Sequence, residues 1–171
     1  MASRIGWFAL GFIGALASAA YIFIRVGGVP MATSAPLPLA KTIAGLDLAA
    51  SYGNATQQTN PLPVDEANLL AGARKSSEQC SVSHGEPHSQ PLAIAKGMFP
   101  PPPQLFEQTV TNDPEGITFW NVSNGICMTG MPGFQNTLSD TERWQVTMLL
   151  AHTDRLPARV QTSLTTLNPG E

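Results

Sequence analysis

Residues 80 to 84 read Cys80-Ser81-Val82-Ser83-His84, which differs from C-x-x-C-H, the signal for covalent haem attachment, by an oxygen in place of one sulfur. In that signal two thiols add across the vinyl groups of the porphyrin, and the adjacent histidine binds the iron. The Ser83 hydroxyl is a poor nucleophile for such an addition, so the pattern allows one thioether at most, through Cys80. His84 keeps the place of a proximal iron ligand.

Other chemistries open to these residue types fail on count or spacing. Cys80, His84 and Met131 have the softness of a copper ligand set, but the second histidine expected of an electron-transfer copper centre is missing. Ser83 beside His84 is no hydrolase pair, because adjacent side chains are poorly placed as nucleophile and base, and no G-x-S-x-G elbow surrounds them. His88 follows Pro87 in a polar loop and reads as solvated, while His152 near the end of the last helix suits the helix dipole.

The elements that must position these residues are helical. Asp65 is a plausible N-cap, after which Glu66 to Gln79 reads as a helix running directly into Cys80, with Leu69, Leu70 and Ala73 on its apolar face. A Pro-rich loop follows, with Pro100 to Pro103 favouring an extended conformation. A second helix is expected from Asp113, with Pro114 in its first turn, to Asn124-Gly125. The loop from Ile126 to Leu138 carries Met131-Pro132-Gly133. Ser139-Asp140-Thr141-Glu142 is a capping box, and the helix it opens runs through Trp144, Val146, Met148, Leu149 and Leu150 and ends before Pro157. Beyond the N-terminus no run alternates like a strand, so the fold class is all-α, three or more helices with long loops. So few helical residues leave a core that a flat apolar cofactor would complete.

The N-terminus stands apart. Ile5 to Ile24 contains no charged residue and is bracketed by Arg4 and Arg25, and roughly 20 such residues span a bilayer as a helix. Residues 1–25 are therefore expected to be an anchor, since the apolar run continues past the small residues Ala17-Ser18-Ala19 where a cleaved signal would turn polar. Residues 26–64, rich in Pro, Gly and Ala, read as a linker in which Leu39, Ile43 and Leu46 form one face of a short docking helix. The domain is expected over 65–157 and a flexible tail over 158–171. Of nine Lys plus Arg and twelve Asp plus Glu, Arg4 and Arg25 flank the anchor, leaving seven basic against twelve acidic residues. That balance disfavours nucleic acid as a partner.

The order of features resembles the class I cytochrome c family: a helix, the attachment signal at its end, a Pro-rich loop, a middle helix, a Met-bearing loop and an aromatic C-terminal helix. Ala95-Lys96-Gly97-Met98-Phe99-Pro100-Pro101-Pro102-Pro103-Gln104-Leu105 and Thr129-Gly130-Met131-Pro132-Gly133-Phe134 are similar to the wording of membrane-anchored bacterial monohaem members. The likeness spans about half of the chain. It implies a domain folded around one haem c, with His84 as proximal and Met131 as distal iron ligand, and Gly72 and Trp144 at the crossing of the first and last helices. Met98 is the rival sulfur, but a Met beside Phe99 in a Pro-rich loop reads as a packing residue. The resemblance further implies a single-electron carrier serving respiratory redox proteins, on the bacterial inner membrane and facing the periplasm. Met/His ligation raises the potential of such a centre.

Three positions depart from the family. Ser83 removes a covalent link, Ser76 stands where an aromatic packs on the last helix, and Cys127 replaces a basic residue in the Met-bearing loop. Cys80 and Cys127 are the only cysteines, and a disulfide between them would compete with the thioether. That bond would suit the alternative reading, a haemless cytochrome-fold relic or interaction module.

Overall fold

A computed structural model describes residues 2–25, 42, 45, 49, 52–90, 92–106, 113–127 and 129–166. The chain is all-helical, with no strand among the described residues. The elements are α1 (Ala2–Arg25), a 3-10 turn (Gly53–Gln57), α2 (Glu66–Gln79), α3 (Ser81–His84), α4 (Ala93–Lys96), α5 (Glu115–Asn124), α6 (Asp140–Ala151) and α7 (Ala158–Thr166).

The two long helices of the domain start where their local chemistry dictates. The Asp65 carboxylate accepts the Asn68 N–H at 2.8 Å, covering a donor that the first turn of α2 leaves unpaired. At α6 the capping box is complete: Ser139 Oγ accepts the Glu142 N–H, and the Glu142 carboxylate accepts the Ser139 N–H at 2.9 Å. Lys75 of α2 reaches that same carboxylate, 3.2 Å away, so the cap is tied to the neighbouring helix.

α2 and α6 make the main crossing of the domain, and Gly72 sets how close they come. A Cβ at this position would lie 2.2 Å from the Gln145 carbonyl oxygen and 3.3 Å from Leu149 Cβ. The Trp144 ring, one residue back along α6, stacks on Phe119 of α5 with centroids 4.0 Å apart and planes 12° from parallel. The crossing is therefore glycine against backbone, with the aromatic spent on the other interface.

Where a flexible tail is expected beyond residue 157, the chain forms α7 instead, packed on α2. Val160 and Leu164, one turn apart, are buried and complete a core with Leu69, Ala73, Met148, Leu149 and Leu156. Arg159 adds an ion pair to Glu66 at 3.3 Å. Only two apolar residues carry this helix, which is why its polar composition reads as a tail.

The stretch expected to be linker is also docked from Tyr52 onward. The Tyr52 hydroxyl donates to Asn121 Oδ1 at 3.3 Å and its ring meets Trp120 edge-on at 5.7 Å. Ala55 is buried, Asn60 Nδ2 donates to the Trp144 carbonyl at 3.1 Å, and Leu62 packs on the α2–α6–α7 core. Residues 52–62 thus form a strap across α5 and α6. The docking helix expected from Leu39, Ile43 and Leu46 lies outside the described residues.

On α1 the described side chains, Gly6 to Ile22, are all exposed, among them Trp7, Phe8, Phe12, Ile13 and Ile22. Among the described residues no helix is long and apolar enough to cross a membrane.

Replacing Gly72 with Ala forces the α2–α6 crossing apart and is expected to cost about 1–3 kcal/mol. Leu164→Ala is expected to cost about 2–5 kcal/mol, as for any buried leucine. Urea unfolding followed by circular dichroism checks both; a Leu164→Ala protein as stable as the parent would return α7 to the status of a tail.

Candidate functional site

α2 ends in Cys80, whose backbone N–H donates to the Ser76 carbonyl at 2.8 Å, and the chain turns at once into α3, with the His84 N–H bonded to the Cys80 carbonyl at 2.9 Å. Thiol and imidazole are thus held one helical turn apart. Ser83 Oγ bends back to the Cys80 carbonyl at 3.3 Å, giving the hydroxyl a local role in place of a covalent one.

The His84 ring is oriented from across the loop. Its Nδ1 lies 2.8 Å from the carbonyl oxygen of Pro103. A carbonyl only accepts, so Nδ1 carries the proton and Nε2 keeps its lone pair free. A metal-binding imidazole needs this tautomer, with a second group fixing the far nitrogen. Burial pushes the His84 pKa down, with the Pro103 bond opposing, so the ring is held neutral, the form that ligates.

Burial likewise pushes the Cys80 thiol up to about 11, opposed by a hydrogen bond with Ser76 and reinforced by the charge of Glu86. In the folded domain this thiol is protonated and a weak nucleophile. Glu86 is itself desolvated, which raises its pKa against the Ser77 and Ser81 hydroxyls beside it. Neither of its carboxylate oxygens completes a hydrogen bond of good geometry. Cys80 and Cys127 are both free, with Cys127 exposed. The disulfide considered from sequence is thus not formed.

Met131 is half-buried and packs on a second cluster made by Leu105, Val122, Val146 and Leu150, together with Phe106 and Phe134. Its loop is closed by its own hydrogen bonds: the Met131 N–H donates to Thr129 Oγ1 at 3.1 Å, and Thr129 Oγ1 donates to the Ile126 carbonyl at 2.7 Å. The segment from Pro103 to Leu105 links His84 and Met131, since Pro103 holds the His84 ring and Leu105 lies in the cluster that receives Met131. Met98 is half-buried against Gly130, the packing role expected of it. His88 is exposed, and His152 caps α6 with its Nδ1 2.9 Å from the Met148 carbonyl; both keep the minor roles the sequence gives them.

Several polar groups in this region carry little signal in the sequence. The Pro103 carbonyl has none, because every residue owns one. Arg143 lies on the apolar-periodic face of α6 and is buried, its guanidinium 5.0 Å over the Phe119 ring and bonded to Ser123 and Asp140. Ser76, Ser77 and Ser81 are buried too, Ser76 at the position where an aromatic was expected against the last helix.

The donor set suits haem: a neutral imidazole with one nitrogen fixed and the other free, a thioether seated in an apolar cluster, and an unpaired thiol four residues before the imidazole. The fit is incomplete at Ser83. No family model matches the chain, and no curated protein matches it.

Nitrogen-15 NMR of the His84 ring is expected to show the neutral Nδ1–H tautomer at pH 6.5. Because folding lowers this pKa from 6.5, the unfolded chain binds the proton first on acidification; stability is full above about pH 6.5 and declines below it. An Nε2–H tautomer of the neutral ring would contradict the Pro103 arrangement.

Proposed function

We propose that this protein is a membrane-attached, single-electron carrier of the cytochrome c type, binding one haem. The observation that carries the reading is the hydrogen bond from His84 Nδ1 to the Pro103 carbonyl, which leaves Nε2 directed to ligation. When bound, haem supplies one-electron cycling between ferrous and ferric iron.

The chain's own residues do the rest. His84 and Met131 present two neutral donors, an imidazole and a soft thioether, a pairing that favours a raised potential. Pro103 keeps the imidazole from rotating. Leu105, Val122, Val146, Leu150 and Phe134 exclude water from the side of Met131. Cys80 would hold the group by a single thioether: its S–H adds across a vinyl group, sulfur to one carbon and hydrogen to the other, with no net oxidation. Ser83 adds nothing to that attachment.

Membrane attachment is supported by the uncharged run Ile5 to Ile24, roughly 20 residues, the length expected of a spanning segment, and by the exposed apolar side chains Trp7, Phe8, Phe12, Ile13 and Ile22 along α1. Haem attachment to such proteins takes place outside the cytoplasm, so the domain would face the periplasm, where respiratory redox proteins are its partners.

The test is a denaturing gel stained for haem peroxidase activity, run on protein expressed with haem-maturation machinery. A haem-positive band is expected from the parent and is lost in Cys80→Ala, while native Cys80→Ala protein retains a weaker, extractable absorbance through His84 and Met131. Ser83→Cys is expected to supply the second link and to raise the thermal midpoint of the loaded protein. A parent that stays colourless, on the gel and in its native spectrum, overturns the electron-carrier reading in favour of the relic.

A further inference from the structure

Met98 sits beside the loop that presents Met131 and is assigned no part in ligation. A Cβ built on Gly130 would lie 3.0 Å from Met98 Sδ, 3.4 Å from its Cε and 3.5 Å from its Cγ. The end of the Met98 side chain therefore rests flat on Gly130, the residue immediately before Met131. The loop is also held by the packing of Met131 on the Leu105–Val122–Val146–Leu150 cluster and by hydrogen bonds from Met131 N–H to Thr129 Oγ1 and from Ile126 N–H to the Met131 carbonyl at 3.3 Å.

Met98 is anchored in turn. Its N–H bonds the Ala95 carbonyl at 3.2 Å, at the end of α4, and five residues later the same loop delivers the Pro103 carbonyl to His84. One short segment thus touches both ends of the presumed ligand axis. We propose that Met98 is a positioning residue that holds the Thr129–Met131 loop closed and so keeps the Met131 sulfur in place against competing ligands; this rests on the haem-carrier reading. The physical argument is one of opening: a thioether on iron is displaced when its loop swings away, and packing against Gly130 makes that opening rarer. An unbranched, polarisable side chain fits the bare glycine surface where a branched one would leave gaps.

The experiment uses the full-length, haem-loaded protein. Met98→Ala is expected to tighten the binding of added imidazole to the ferric iron about tenfold and to speed hydrogen exchange of the Met131 amide by a similar factor, since both need the loop open. Met98→Leu keeps the volume and is expected to stay within about twofold of the parent. Val160→Ala loosens the distant α2–α7 core and leaves imidazole affinity unchanged. A folded Met98→Ala protein with parental imidazole affinity and parental Met131 exchange overturns the assignment. Failure of the haem reading looks different: parent and variants alike lack haem absorbance, and exchange of the Met131 amide alone then decides whether Met98 braces the loop.

Discussion

Two helices can touch backbone to backbone only where one of them lacks a side chain, and Gly72 supplies that gap between α2 and α6. The approach brings the Gln145 carbonyl to where a Cβ would stand. Everything near the candidate site inherits its position from this contact. α2 ends in Cys80 and turns into His84, while the opposite flank of α6 carries Val146 and Leu150 into the cluster that receives Met131. A crossing pushed outward by a methyl group would separate the thiol and imidazole from the apolar cluster. Burial at α7 closes the same pair of helices from behind, so the crossing is clamped on one side and faces the site on the other.

The chain spends its polar groups unusually close to this frame. Ser76, Ser77 and Ser81 are all buried on α2 and its continuation, where apolar side chains would be the ordinary filling. Arg143 brings a charge into the α5–α6 interface, offset by Asp140, Ser123 and the face of Phe119. Such groups cost desolvation energy that hydrogen bonds only partly return. Among the described residues the Ser77 and Thr147 hydroxyls and the Arg143 Nε find no hydrogen-bond partner, so this interior is less stabilising than an apolar one of the same size. A porphyrin joined at one carbon by Cys80 would meet a domain with little stability to spare.

Local signals were legible in the sequence, and long-range ones were not. The capping box at Ser139 and the N-cap at Asp65 each depend on atoms within four residues, so a reader of the chain finds them. The end of α5 at Asn124-Gly125 and the run of α2 into Cys80 follow from the same kind of local chemistry. α7 escaped because two buried residues in nine leave a helix that looks polar. The strap escaped because Tyr52 and Asn60 bond to partners 69 and 84 positions away, one of them a backbone carbonyl. At the site itself, the types and order of Cys80, His84 and Met131 were legible, whereas the Pro103 oxygen that selects the imidazole tautomer has no side-chain signature. Trp144, expected at the helix crossing, stacks on Phe119 of α5, a pairing between separate helices that no local pattern announces.

The docked strap also sets how far the domain can travel. Each residue of an extended tether contributes at most about 3.5 Å of reach. Residues 52–62 lie against the domain, so they are withdrawn from the leash, shortening it by about 38 Å. For an anchored chain this raises the local concentration of the domain near the bilayer surface, and it favours exchange with partners embedded in that same membrane over those diffusing freely above it.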